Sequence, residues 1–89
     1  MVYVDKAQNK FRSFIMCHML ADTVEELHTM ADQIGLNRGW FQPVSVPHYD
    51  LSQSKRQEAL EHGAIEIGRE KVAEIVRRYR SSMVNSRIS

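Results

Sequence analysis

Eight consecutive residues, Phe14-Ile15-Met16-Cys17-His18-Met19-Leu20-Ala21, carry a single polar interruption, His18. A run of that length and apolarity is a strand, and its continuity suits a strand covered on both faces. The rest of the chain must supply the covers. Directly after the run, Thr23-Val24-Glu25-Glu26 has the capping-box pattern. The Thr23 hydroxyl can accept from the Glu26 amide, and the Glu26 carboxylate can reach back to the Thr23 amide. Val24, Leu27, Met30, Ala31 and Ile34 then recur at helical spacing, and Gly35 supplies a left-handed stop, which predicts a helix over 24–34.

The remaining elements follow in order. Val2-Tyr3-Val4 reads as a first strand, and Asp5 to Ser13 as a polar loop. Trp40-Phe41-Gln42 reads as a short strand, after which Pro43 and Pro47 bracket a stiff extended segment. Ser52 or Ser54 can cap a second helix that runs to about His62 and ends at Gly63, with a thin apolar stripe of Ala59 and Leu60. Ala64-Ile65-Glu66-Ile67 is a strand. The last helix begins near Gly68-Arg69 and buries Val72, Ile75, Val76 and Tyr79. After Arg80 there is no period and no stop signal, so residues 81–89 are expected to fray.

Strands alternating with helices predict a single α/β domain over residues 1–80. It would be a small, mostly parallel or mixed sheet of about four strands with about three helices packed on it. The nine-residue connection between the first two strands holds no helix, which leaves that pair either antiparallel or separated by another strand.

A chain of 89 residues buries roughly 60–65% of its unfolded surface, enough for one modest core. Its 43% apolar and 26% charged residues are an ordinary globular balance. No apolar run reaches the ~18–20 residues of a membrane helix, and the N-terminus lacks a signal-peptide pattern, which points to the cytoplasm. The single cysteine, Cys17, excludes an internal disulfide framework and a Cys-pair zinc finger. Inside its apolar run it reads as buried and inert. The net charge is +1, but residues 69–89 hold six basic and two acidic side chains. That basic helix reads as a solvated face or as a surface for nucleic acid.

Ligands of open α/β sheets bind beyond the carboxyl ends of the strands. Asp5 follows the first strand and Asp22 the second. Strand alternation puts His18 on the same face as Asp22, near enough to share a ligand or a water. Either side chain also has a purely structural reading, as a helix cap for Asp22 and a satisfied core residue for His18. Pro47-His48-Tyr49-Asp50 forms a second polar cluster just before a helix that carries Ser54, Lys55 and Arg56. Free amides and cations at a helix N-terminus make an anion site, so Lys55 or Arg56 could meet a phosphate and His48 could donate to it. The alternative is an ordinary loop-to-helix entry. Trp40 reads as core or as a base-stacking wall, and His28 and His62 as exposed residues without a role. Gly-rich phosphate loops and the common hydrolase signatures are absent. Two histidines with Asp5, Asp22 and Asp50 could hold a divalent metal, but their spacing carries no metal signature, so no metal site is assigned.

Tyr3-Val4-Asp5, Cys17-His18-Met19 with Ala21-Asp22-Thr23, Glu25-Glu26-Leu27, Ile34-Gly35, Trp40-Phe41-Gln42, His48-Tyr49-Asp50-Leu51, Ser54-Lys55-Arg56 and Gly63-Ala64 follow one another in order. This series resembles the family filed as domain of unknown function 4031, over roughly residues 2 to 80. Members are small bacterial and bacteriophage proteins without a settled activity, so the resemblance implies kinship and little mechanism. Its motifs include Asp5, His18, Asp22, His48, Asp50, Lys55 and Arg56, and the basic end after Tyr79 lies outside them.

The residues together suggest a pocket walled by Asp5, His18, Asp22, His48, Tyr49, Lys55 and Arg56. Such a mix suits a phosphorylated, nucleotide-like ligand: cations for phosphate, carboxylates for ribose hydroxyls or a base edge, a ring for stacking. In a phage, sequestering a host nucleotide signal would fit so small a protein. A second reading is a phosphoester or nucleotide hydrolase whose catalytic candidates are His18, His48 and Asp22. A third is a nucleic-acid accessory protein using the basic helix. Self-association is left open.

Overall fold

The computed structural model describes the backbone of residues 1–88 and the side chains of residues 1–82. The elements are β1 (Val2–Val4), β2 (Asn9–Phe11), β3 (Phe14–Ala21), α1 (Val24–Gln33), a short 3-10 turn (Arg38–Trp40), β4 (Tyr49–Ser52), α2 (Gln53–Glu61), β5 (Ile65–Glu66) and α3 (Arg69–Ile88). Three helices on a mixed five-stranded sheet place the chain in the α/β class.

The long apolar run is β3, and it organises the sheet. It pairs antiparallel with β1, β2 and β4, while β5 joins β1 in parallel. The first two sequence-predicted strands, β1 and β3, are thus antiparallel neighbours, with Val2 opposite Ala21. The parallel share is small because the segment read as a polar loop contains β2. Arg12, at φ 58, and Ser13 close a tight turn, and Phe11 faces Phe14 across it. Tyr3↔Ile65 and Val4↔Glu66 make the parallel pairing, reached through α2.

Alternation along β3 sorts its residues between two cores. Cys17, Met19 and Ala21 face α1 and α2, together with Tyr49 and Leu51 from β4 and Leu27 and Ala59 from the helices. Leu20 and Tyr3 face the other way, onto Ile75, Val72, Val76 and Tyr79 of α3. β3 is therefore covered on both faces over its second half, whereas Phe14 and Ile15 at its start are exposed.

α1 begins where the capping pattern places it. The Thr23 hydroxyl oxygen accepts from the Glu26 N–H at 3.1 Å. The reciprocal half differs: Glu26 takes the Thr23 hydroxyl at 3.0 Å rather than the Thr23 amide. Gly35 ends the helix at φ 74. Trp40-Phe41-Gln42 is not a strand. Trp40 ends the 3-10 turn, and only Gln42 makes a β-bridge, to His48. The strand of this region lies at Tyr49–Ser52, where alternate residues Tyr49 and Leu51 are fully buried. α3 runs to Ile88. The expectation of a frayed end concerns residues 81–89; the side chains of 83–89 and the backbone of residue 89 lie outside the described residues.

Candidate functional site

The site grows from an interruption in the sheet. β1 and β2 lie along the same edge of β3, with Val4 opposite Met19 and Asn9 opposite Met16. Residues 5–8 therefore stand against only Cys17 and His18. Asp5 remains opposite His18 and donates its N–H to the His18 carbonyl at 3.0 Å. The irregular chain beyond it leaves the His18 N–H without a backbone acceptor, and the Asp5 side chain replaces one. Its Oδ1 accepts from the His18 N–H at 2.9 Å and from the Ala7 N–H at 3.2 Å. The bond to the amide two residues on is the local turn that Asp favours. Its Oδ2 lies 2.7 Å from His18 Nδ1.

Asp5 is only 8% exposed. Burial pushes its carboxyl upward, but the bonds from the His18 ring, the His18 N–H and the Ala7 N–H outweigh it and hold the carboxyl below its ordinary value. An ionised carboxylate only accepts, so His18 Nδ1 is the donor, and in neutral His18 the lone pair sits on Nε2. The bond to Asp5 also raises the His18 pKa above its usual value, against the effect of burial.

β4 brings the other half. Asp50 sits directly opposite His18 in the register. His48 precedes β4 and is held by paired backbone bonds with Gln42, at 2.9 and 3.0 Å. Between them Ser45, at φ 66, is the centre of a γ-turn in which Val46 N–H donates to the Val44 carbonyl at 2.8 Å. That turn is the rare, strained form. It tucks Val46 into the core under α3 and points the Val46 carbonyl at His48, whose Nδ1–H donates to it at 2.8 Å. The two imidazoles meet edge to face, with centroids 5.5 Å apart. His18 Nε2 is 3.8 Å and His48 Nε2 3.7 Å from Asp50 Oδ1. Asp50 Oδ2 accepts from the Gln42 side-chain amide at 2.8 Å.

Beside this cluster opens a groove of about 840 Å³, into which His18, Asp50 and Gln42 face. Phe11, Phe14 and Trp40 line it and are 61%, 56% and 59% exposed. Lys10 also lines it and makes no ion pair among the described residues.

Of the sequence-predicted wall, Asp5, His18 and His48 come together, and the other four do not. Asp22 lies past the far end of β3, where it accepts from Tyr3 Oη at 3.0 Å and from Arg78 at 3.1 Å. Tyr49 alternates onto the opposite face, fully buried, with its hydroxyl 2.8 Å from His28 Nδ1. That contact makes His28 a half-buried packing residue rather than an exposed one. Lys55 lines the rim of the groove, but its ammonium donates to the Ile34 carbonyl at 2.6 Å and pairs with Glu58 at 3.1 Å. Arg56 donates to the Asp5 carbonyl from two nitrogens at 3.2 Å each and pairs with Glu66. Both cations tie helices to the body instead of waiting for a phosphate.

Asp50, Gln42, Phe11 and Phe14 belong to the site and were absent from that wall. The His48-Tyr49-Asp50 motif did flag Asp50, and Trp40 takes the exposed position rather than the core one. Cys17 is buried beneath the sheet as expected, and burial pushes its thiol up to about 11.

No described helix is long and apolar enough to cross a membrane. As they lie, no three His, Cys, Asp or Glu side chains among the described residues close around one point in metal-ligand geometry. No curated protein and no solved structure is significantly similar to the chain. A match to the family described as a protein of unknown function (DUF4031) spans residues 2–79, from β1 through most of the body and every residue of the His-Asp cluster, and the chain belongs to that family.

Proposed function

We propose that the groove binds a flat, nucleotide-like ligand in the cytoplasm. The observation that carries this reading is the set of exposed aromatic rings, Phe11, Phe14 and Trp40, beside a polar floor of His18, Asp50 and Gln42. Exposed rings cost free energy in water and gain it on stacking, at about 1–3 kcal/mol per base. Gln42 and Asp50 present a donor and acceptors to a base edge or to ribose hydroxyls. Lys10 takes the phosphate role that Lys55 and Arg56 were expected to play, because their charges are engaged within the fold. In a phage such a protein would hold a host nucleotide signal out of circulation.

One observation favours a second reading, hydrolysis of the bound phosphoester. Asp5 fixes His18 with Nδ1 protonated and the Nε2 lone pair directed toward Asp50 at the groove, the arrangement of an oriented general base. His18 would take a proton from water as the water oxygen bonds to phosphorus. The P–O ester bond would break, and the leaving oxygen would take a proton from solvent.

Calorimetry with a panel of nucleotides, followed by chromatography of the same mixtures, tests both. Binding is expected, with Trp40→Ala costing about 1–3 kcal/mol of affinity and Lys10→Ala weakening only phosphorylated ligands. Turnover that falls ~10²–10⁴-fold in His18→Ala with affinity kept would establish the hydrolase. Failure of the folded wild type to bind any nucleotide overturns the reading.

A further inference from the structure

The sheet face that carries α3 is covered over only half its length. α3 packs on Tyr3 and Leu20, at the second half of β3. Over the first half, alternation puts Phe14, Met16 and His18 on the same face, with Phe11 opposite Phe14, Ser52 opposite Met16 and Asp50 opposite His18. All six line the groove, so its floor is uncovered sheet. Four strand positions separate Phe14 from His18, roughly 13 Å. A single base stacked on Phe11 or Phe14 therefore does not reach Asp50, and Trp40 supplies a third ring. The volume of about 840 Å³ stands near the upper end of the ~300–1,000 Å³ of small-molecule pockets. The groove is built for more than one base.

We infer that the groove binds a single strand of nucleic acid, several nucleotides at a time, with its bases against the sheet and its phosphates along the β2–β3 turn. Charge sets that orientation. Residues 6–17 carry Lys6, Lys10 and Arg12 and no carboxylate. Lys6 pairs with Glu66, whereas Lys10 and Arg12 make no ion pair among the described residues. The Arg12 guanidinium lies 5.6 Å from the centre of the Phe11 ring, so a cation and a stacking surface are adjacent. Asp50, toward the other end of the groove, repels phosphate and can accept from a base amine instead. Exposed rings on an open sheet stack bases only where those bases are unpaired, because a duplex hides their faces. Rings beside free cations thus select a single strand, with little regard to its sequence.

This inference rests on the reading of the groove as a nucleotide site, and strand length separates the two. The full chain is titrated with thymidine monophosphate and with oligothymidylates and oligouridylates of two, four and eight nucleotides. Quenching of Trp40, the single tryptophan, reports stacking directly. Affinity should rise about 10²–10⁴-fold from the monophosphate to the octanucleotide. Length dependence in either series supports the inference, and the tighter series identifies the sugar. Phe11→Ala and Phe14→Ala should each weaken the octanucleotide about 5–150-fold, with native circular dichroism because both rings are exposed. Phe14→Tyr keeps a ring and should keep the affinity. Lys10→Gln and Arg12→Gln should each lower the slope of log affinity against log salt by about 0.7. A monophosphate bound as tightly as the octanucleotide overturns the inference and leaves the nucleotide reading standing. No binding of either overturns both. A hairpin duplex bound as tightly as the single strand also overturns it, as does affinity lost in Arg77→Ala but kept in Phe14→Ala, which would place the strand on the basic helix.

Discussion

A strand advances about 3.3 Å per residue, so the four positions from His18 to Asp22 amount to roughly 13 Å. Two residues on one face therefore need not share a ligand, and Asp22 belongs to the contact between β1, β3 and α3. Asp22→Asn should leave groove binding intact and lower stability near neutral pH. Burial alone would raise the Asp22 carboxyl, but the bonds from Tyr3 and Arg78 outweigh it and set the folded value below 3.8. A lowered folded value means stability that is full above the unfolded value and is lost as pH falls through the folded one. Thermal unfolding of wild type and variant should differ at pH 7 and draw together as pH falls through the lowered folded value; equal midpoints at pH 7 would refute the role. Cys17 offers a second residue-scale check. With its thiol raised to about 11 by burial, alkylation at pH 8 should be slow in the native protein and fast once denaturant is added.

At the scale of elements, α1 was legible because cap, stripe and stop are all local. Thr23→Ala should cost about 0.5–2 kcal/mol, read from denaturant midpoints at constant m, without affecting ligand binding. β2 was not legible, because Asn9-Lys10-Phe11 has no pattern of its own and becomes a strand by pairing with the exposed start of β3. β4 was missed because Trp40-Phe41-Gln42 looks more strand-like than Tyr49-Asp50-Leu51-Ser52, while tertiary packing decides in favour of the alternation at Tyr49 and Leu51. The strained Ser45 left no sequence signal, since nothing in Val44-Ser45-Val46 announces a positive φ. Glycine reaches that conformation freely, so Ser45→Gly should not destabilise the protein by more than about 0.5 kcal/mol. A larger loss in equilibrium unfolding would show that the Ser45 side chain itself matters.

For the whole molecule, the site was half readable. His18 breaks an apolar run, Asp5 ends a strand and His48 follows a proline, so each is conspicuous alone. The partnership with Asp50 depends on register, and the engagement of Lys55 and Arg56 depends on carbonyls of Ile34 and Asp5 that are distant in sequence. Arg56 links α2 to the interrupted strand and to β5. Arg56→Ala should therefore act on stability, by about 1.5–3 kcal/mol in denaturant unfolding, and leave intrinsic affinity for a nucleotide unchanged. A loss of affinity without loss of stability would reverse that assignment.

The pairing of β5 with β1 also orders events in time. Val4 meets Met19 across 15 positions of chain, whereas Tyr3 meets Ile65 across 62. Closing the longer loop costs more entropy, so the β1–β3 hairpin can form early while its outer edge waits for residues near the other end. Asp5 and His18 are neighbours within that hairpin. A refolding chain would thus assemble the buried half of the cluster first, and only docking of β4 would bring in Asp50 and His48.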